Sequence, residues 1–533
     1  MGAGQRSFWA WGYEDRLPDE ASRRDLAEQV GALLGGGPLE ERALPRADAL
    51  KLLEPRVKPL ASVPSSAGTR DRAAHTYGKS YRDLVRGLHG DFSSAPDWIA
   101  YPETEGHVHA LFEHCAREGL AAIPFGGGTS VVGGVEGAAV GSRYRGVVSI
   151  DLRAMNRILE VDRVSRAARI QAGALGPHIE RELSPHGLTL RHFPQSFEFS
   201  TLGGWIATRA GGHYATLYTH IDDLVESVRM MTPRGVFESR RVPASGAGPD
   251  PNAWVLGSEG ALGIITEAWM RLQDRPRWRA TASVHFGEFA GGVTAARLLA
   301  QSGLFPSNCR LLDAREAMLH GVSATGKAVL LVGFESADHP LRPWMDRALE
   351  IAKGAGGASP EGATFQESLD ARGASDTVAW RRAFLDAPYL QSALVTLGVV
   401  VDTFETACTW AAFGALHTAV KDAVRAAMKE ACGGGLLTCR FTHVYPDGPA
   451  PYYTFLGRGR AGDELAQWEH IKKAASEALH ANGATITHHH AVGRVHRPWY
   501  DRERPEPFGR MLSAAKRAVD PDAILNPGVL VDP

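Results

Sequence analysis

The chain has 533 residues, of which 44% are hydrophobic and 22% charged, with 58 Lys and Arg against 60 Asp and Glu and a net charge of −2. This composition excludes a disordered or fibrous chain, and its near-neutral balance argues against a dedicated nucleic-acid binder, which needs a clear excess of Lys and Arg. At roughly 150 residues per domain the length suits two to four domains. Glycine stands out: its 59 residues exceed the average usage of ~7%, and they cluster. The five cysteines, Cys115, Cys309, Cys408, Cys432 and Cys439, form no CxxC pair, which predicts free thiols in a reducing compartment. No apolar signal region opens Met1–Arg6, Arg6 breaks the myristoylation pattern, and Val531-Asp532-Pro533 is not a peroxisomal tripeptide. A cytoplasmic chain is expected, with peripheral membrane contact open to it.

Taken in chain order, residues 17–60 mix helix-period stretches with the break Gly35-Gly36-Gly37-Pro38, and residues 1–92 are expected to form a helical N-terminal segment. Trp98–Ala100 then reads as a strand, Glu105–Glu118 as a helix, Ala121–Pro124 and Val147–Leu152 as strands, and Ile158–Val161 with Ala168–Gln171 as a hairpin. That order predicts an α+β domain over 93–275 rather than a doubly wound sheet. Pro276 marks a boundary. Strands at Thr281–Phe286, Ala328–Glu335, Ala393–Glu405 and Gly435–Tyr445, with helices at Glu405–Cys432 and Asp463–Ala481, predict a second α+β domain over 276–480 that caps the first and holds substrate. Strand Ala484–Thr487 and helix Gly509–Val519 fall in the last segment, 481–533, which is expected to complete the active site and return to the first domain.

Two glycine patterns resemble nucleotide loops but fail on context. Gly321–Lys327 lacks the P-loop hydroxyl, since residue 328 is Ala, and it runs into a strand. Gly457–Gly462 fits GxGxxG, yet no acidic residue closes the next strand. Three other clusters suit a cofactor. Pro124-Phe125-Gly126-Gly127-Gly128-Thr129-Ser130 follows a strand, and its glycines let successive N–H groups converge on an anion such as a diphosphate; a plain glycine turn is the alternative. In Phe193–Gly212, Ser200 or Thr201 can cap a helix beginning near Leu202, while Gly203, Gly204 and Ala207 keep its first turns thin. In Gly257–Thr266, Gly260 and Gly263 precede a β-branched strand, which suits contact with a purine or a flavin edge.

These motifs, in this order and spacing, resemble the FAD-binding domain of the vanillyl-alcohol-oxidase or PCMH type. Within that superfamily the chain is most similar to the alkyldihydroxyacetonephosphate synthase family, from Trp9-Ala10-Trp11-Gly12-Tyr13, through His213–Thr216 and Ile221–Leu224, to Asn526-Pro527-Gly528. The resemblance implies an α+β flavoenzyme with FAD contacts at Pro124, Phe125, Gly126, Gly127, Gly128, Thr129 and Ser130, and at Gln195, Ser196, Phe197, Glu198, Phe199, Ser200 and Thr201. Further contacts are implied at Thr208, Arg209, Ala210 and Gly211, and at Glu259, Gly260, Ala261, Leu262, Gly263, Ile264 and Ile265. No His follows the Gly126–Gly128 loop, so FAD is expected to be non-covalent.

Alternation on Tyr452–Phe455 sets Tyr452 and Thr454 on one face and Tyr453 on the other. A phenol can donate a proton or, where cations lower its pKa, accept one; a packed strand aromatic is the bland reading of Tyr452. His488, His489 and His490 follow a strand, where alternation keeps adjacent side chains from one metal; no metal is expected, and acid/base work or hydrogen-bond donation beside the flavin is the reading, against a polar turn. Arg310 and Arg440 are candidates for an anionic substrate, although Arg310 could pair with Asp313 instead. The resemblance implies that Tyr452 transfers the proton and that the His triplet and Arg310 are needed. It also implies an Arg holding the substrate phosphate where this chain has Gln391, which offers no charge and no bidentate fork.

Two activities follow. A synthase of this family would exchange the acyl chain of acyl-dihydroxyacetone phosphate for a fatty alcohol in ether-lipid synthesis, using flavin N5 without net redox. An FAD-linked oxidoreductase, such as a 2-hydroxyacid dehydrogenase, would pass hydride to N5 while the same His takes the hydroxyl proton. Whole-chain similarity and Tyr452 favour the first, and Gln391 favours the second. The expected partner is a small-molecule or lipid substrate. A homodimer is compatible with the chain, and residues 17–60 could meet a membrane surface.

Overall fold

The computed structural model describes residues 4–137, 143–368 and 375–532, without the side chains of 375–385. The architecture is α+β, built on three main sheets. Leu120–Phe125, Gly146–Asp151 and Trp98–Ala100 pair in parallel, with Ser65–Ser66 on the edge. The helix Glu105–Glu118 connects two of these strands, capped by Thr104 at one end and by Gly119 in the left-handed region at the other. A five-stranded antiparallel sheet follows, in the order Ile158–Asp162, Ala167–Gln171, Ile264–Arg271, Val225–Thr232, Gly235–Glu238. The third sheet has seven antiparallel strands, in the order Ala363–Glu367, Trp278–Phe286, Ala328–Ser336, Asn308–Leu312, Leu436–Val444, Pro449–Arg458, Val399–Glu405. Among the described residues, no helix is long and apolar enough to cross a membrane.

Four expected elements differ. Ala393–Glu405 is not one strand: a helix runs to Thr396, Gly398 turns the chain at φ +65°, and the strand is Val399–Glu405. The run is apolar throughout because both halves are buried, and burial alone does not separate helix from strand. The next helix begins at Trp410, not Glu405, where the Thr409 side chain accepts from the Ala412 N–H. Ala484–Thr487 forms no strand; its backbone groups find scattered partners instead, with Thr406 Oγ1 donating to Thr485 O, Glu503 accepting from Ile486 N, and Leu479 O and Ala407 O accepting from Ala484 N and Thr485 N. In residues 17–60 the one α-helix is Glu20–Leu33.

The C-terminus folds back onto the first sheet. Leu525 bridges Ala122, and buried Lys516 donates to Ala261 O, Asp520 and Leu525 O at 2.6–2.7 Å. Glu259, at φ +49°, adds a second tie: its carboxylate accepts from Val492 N at 2.9 Å and Gly493 N at 2.8 Å. Burial lifts this carboxyl from its ordinary 4.5 to about 7, against the pull of those two N–H groups. The raised value means that the folded chain binds more protons than the unfolded one between these two pH values, so this group's contribution to stability falls as pH rises from about 4.5 to about 7. Denaturation at a series of pH values should show that Glu259→Gln lacks this component; the wild-type advantage over the variant should shrink across the window by up to about 3 kcal/mol. A pH-independent difference would show that Glu259 does not titrate there.

Candidate active site

One cavity joins the sheets. Its first wall is the Gly126–Ser130 loop, lying flush on the second glycine cluster: a Cβ on Gly127 would stand 2.0 Å from Phe199 O, and one on Gly126 would stand 2.3 Å from Thr201 Oγ1. Thr201 caps the helix Leu202–Thr208, as its position predicts. Gly203 packs on Ala172, whereas beside Gly204 only Thr201 Oγ1 comes within 4 Å of an added Cβ, so this face is open to the cavity. Arg6 donates to Gly127 O at 3.0 Å from behind the loop. A glycine-bordered cleft with the hydroxyls of Thr129, Ser130, Ser196 and Thr208 on its lining fits a flat, phosphate-bearing cofactor such as FAD.

Of the residues expected at FAD, Gly126, Gly127, Gly128, Thr129, Ser130, Gln195, Ser196, Ser200, Thr201, Thr208, Ala210 and Gly211 line this cavity. The others stand elsewhere. Pro124 and Phe125 pack behind the loop, where a Cβ on Gly260 would meet Pro124 at 2.8 Å and the Phe125 ring lies 4.3 Å from His75. Phe197 and Phe199 stack within aromatic clusters, Glu198 pairs with Arg16 at the surface, and Arg209 pairs with Asp222. Glu259, Gly260, Ala261, Leu262, Gly263, Ile264 and Ile265 back the cleft rather than line it; Gly263 is small because Met230 leaves it no room.

The opposite wall comes from the seven-stranded sheet. Tyr452 and Thr454 face the cavity, and Tyr453 faces the apolar core, as alternation predicts. The Tyr452 hydroxyl donates to Thr403 Oγ1 at 3.0 Å, and the Arg440 guanidinium sits 3.9 Å over its ring. Burial raises this phenol despite Arg440, so it is a proton donor at neutral pH rather than the acceptor that lowering by cations would make it. Arg440 pairs with Glu316 at 2.5 Å. Burial works against ionisation of Glu316, but Arg440 and His320 hold it well below the carboxylate range. Arg310 is wholly buried and does not line the cavity; it donates to His213 O at 2.8 Å, while Asp313 serves as a helix cap. Gln391 does line it, accepting from Trp11 Nε1 at 3.1 Å.

The His triplet is wound around one carboxylate. Glu405 accepts from Thr487 Oγ1 at 2.6 Å and from the backbone N–H groups of His488, His489 and His490 at 2.7, 3.2 and 3.0 Å. Burial opposes its charge, yet these surroundings hold it well below the usual range. The imidazoles of His488, His489 and His490 are lowered, chiefly by burial, and are neutral at neutral pH. Because this stretch is a bent loop, strand alternation does not govern it. A bulge between Phe441 and His443 also breaks alternation, so Arg440, Thr442 and His443 all reach the cavity. One ring nitrogen each of His443, His488 and His489 lies within 4.8 Å of the others, so the bent loop brings together two adjacent imidazoles that strand alternation would have separated. His443 Nε2 bonds to Gly212 O at 2.9 Å, and His488 Nε2 to the Tyr445 hydroxyl at 2.7 Å.

Two family models match: "FAD binding domain" over residues 96–239 and "FAD linked oxidases, C-terminal domain" over 275–530. An alkyldihydroxyacetonephosphate synthase of Dictyostelium discoideum is 32% identical over 489 residues, 86% of this chain and 77% of the relative. The chain belongs to the alkyldihydroxyacetonephosphate synthase family. A solved structure of such a synthase superposes with a TM-score of 0.79 at 26% identity, covering 98% of each chain. The fold is also that of p-cresol methylhydroxylase, at TM-score 0.65 and 14% identity over 87% of this chain and 93% of the other. The resemblance seen in the motifs, the flavoprotein fold and FAD as cofactor are thereby borne out.

Glu405, Glu316 and His443 were not found from the sequence of this synthase-family member. For Glu405 there was a signal: a carboxylate at the end of a largely apolar stretch has to be paired when buried. Replacing Glu405 with Gln turns an NH2 group toward backbone donors and removes the charge. Glu405→Gln should lower unfolding stability by about 2–3 kcal/mol and cut turnover at least tenfold, with FAD retained. Unchanged denaturation and turnover would show that the loop does not depend on this carboxylate.

Proposed function

We propose that this chain exchanges the acyl chain of acyl-dihydroxyacetone phosphate for a fatty alcohol, without net redox. Residues 93–275 hold FAD, 276–480 cap it and hold the substrate, and 481–533 complete the site. The observation that carries the reading is the pairing, in one cavity, of a protonated phenol on Tyr452 with the neutral imidazole of His489 beside an ionised Glu405. Gly126–Ser130 and the Gln195–Gly211 residues of the cavity would hold FAD, which when bound would supply an electrophilic N5 beside the substrate.

His489 Nδ1 lies 3.4 Å from Glu405 and 3.1 Å from His488, which leaves Nε2 for the substrate. Nε2 takes a proton from the carbon beside the ketone, and Glu405 stabilises the imidazolium that forms. Tyr452 gives its proton to the departing carboxylate oxygen and regains one from the incoming alcohol, and His489 delivers a proton back to the carbon. Fatty acid leaves, and the alkyl ether forms with no electrons gained or lost. Leu319, Leu390, Leu394, Val401 and Leu456 on the cavity lining suit long alkyl chains. Thr442 Oγ1, buried on the lining with no hydrogen-bond partner among the described residues, offers a donor to substrate oxygen.

A second reading, an FAD-linked oxidoreductase acting on a hydroxyacid, is favoured by Gln391, whose neutral amide is tied to Trp11. Anaerobic flavin absorbance separates the two. Acyl-dihydroxyacetone phosphate with a fatty alcohol should give ether product without lasting bleaching, and a 2-hydroxyacid panel should leave the flavin oxidised. Bleaching by a hydroxyacid would sink the exchange reading. Tyr452→Phe should lower turnover at least ~100-fold while FAD stays bound; loss of FAD from that variant would instead make Tyr452 a structural residue.

A further inference from the structure

We infer that His488 and Tyr445 form a proton relay from the cavity to a second pocket at the protein surface, which rests on the proton-transfer reading of His489 above. His489 lines the cavity. Its Nδ1 is 3.1 Å from His488 Nδ1, and His488 Nε2 is 2.7 Å from the Tyr445 hydroxyl. Tyr445 lines a pocket with Cys408, Asp447, Thr485 and Glu503 that shares no residue with the cavity. Its hydroxyl continues to Thr219 Oγ1 at 3.0 Å. His488 and Tyr445 thus connect a residue of the cavity lining to a residue of the outer pocket.

The chemistry of each group suits the task. A neutral imidazole has one donor and one acceptor nitrogen, so it can take a proton on one side while releasing another on the other side; an imidazolium cannot accept. Burial keeps His488 neutral, with His220, His489 and His490 adding to the effect and Glu405 opposing it. Burial also keeps the Tyr445 phenol protonated, with Asp223, Glu405 and Asp447 in its field. His489 gives its Nδ1 proton to His488 Nδ1, His488 gives its Nε2 proton to the Tyr445 oxygen, and Tyr445 gives its own to water in the outer pocket. Each group ends with as many protons as it began, and no electron moves. His220 is the rival exit, at 3.1 Å from His488 Nε2, but its Nδ1 is buried without a partner among the described residues, so no hydrogen bond there carries a proton onward from that nitrogen.

The test follows a substrate deuterated beside the ketone. Label release into water, kcat, KM and bound FAD are measured for the wild type, Tyr445→Phe, Tyr445→His, Thr219→Val and Tyr452→Phe. Tyr445→Phe should slow label release and kcat together at least ~10-fold, with KM and FAD unchanged. Tyr445→His, which keeps a proton-carrying ring, should recover part of the loss, and Thr219→Val should slow release less. Wild-type label release in Tyr445→Phe alongside an inactive Tyr452→Phe would overturn the relay alone. Normal turnover in Tyr452→Phe as well would overturn the reading of the cavity on which the relay rests. Loss of FAD from Tyr445→Phe would make Tyr445 structural and would also overturn the relay.

Discussion

A buried carboxylate has to find donors, and Glu405 finds four of them within Thr487–His490. An uncompensated charge at this depth would cost several kcal/mol, so the loop has little freedom to lie anywhere else. The consequence is geometric. N–H groups that would have served a strand ladder all converge on one side chain, and the chain must bend around it. Bending turns His489 and His490 into the cavity and sends His488 toward Tyr445. Glu405 ends the edge strand of the seven-stranded sheet, so the same contact fixes the C-terminal loop to that sheet. Glu259 does the corresponding work from the flavin side, through Val492 and Gly493 just beyond the triplet. Two carboxylates, one ending a strand of the seven-stranded sheet and one in the turn before Ile264–Arg271, therefore hold the loop.

Glycine has a second role beside exposing backbone to a cofactor. Gly127 and Gly263 are small because protein presses against them. At Gly211 the two roles meet: it lines the cavity, and an added Cβ would stand 3.1 Å from His443 Cε1 and His489 Cβ. A side chain there would hold the imidazoles away from the cleft. The clusters that point to a flavin thus also set how closely the sheets can approach.

Much of the frame could be read in advance. Glu105–Glu118 matches residue for residue because Thr104 and Gly119 punctuate it, and the Ile158–Asp162 and Ala167–Gln171 hairpin follows from plain alternation. Tyr452 was legible for the same reason, since its strand is regular where it meets the cavity. What escaped was what regularity does not control. The bulge at Thr442 brings His443 into the site by breaking the pattern on which the reading relied. Glu316 pairs with Arg440 across 124 residues, a distance at which spacing carries no information. Ala484–Thr487 forms no strand because its donors and acceptors are met one by one, by the side chains of Thr406 and Glu503 and by the carbonyls of Leu479 and Ala407, rather than by a neighbouring strand.

The charges around Tyr452 bear on what the cavity can hold. Arg440 and Arg310 bring two positive charges, and Glu316 takes back one of them. The imidazoles add none, since burial keeps them neutral. Gln391 contributes dipoles only, and its oxygen is already engaged by Trp11. A singly charged carboxylate would find this balance sufficient. A phosphate monoester, carrying nearly two charges, would have to draw Arg440 away from Glu316 or be held by neutral N–H and O–H donors. Drawing Arg440 away would leave Glu316, a fully buried carboxylate, with only His320 and Thr438 as partners, which is costly. Neutral donors are therefore the economical solution for a phosphate here, and they recognise it by the number and direction of hydrogen bonds rather than by charge. The exchange and oxidation readings thus differ in how much negative charge the substrate brings to one paired guanidinium.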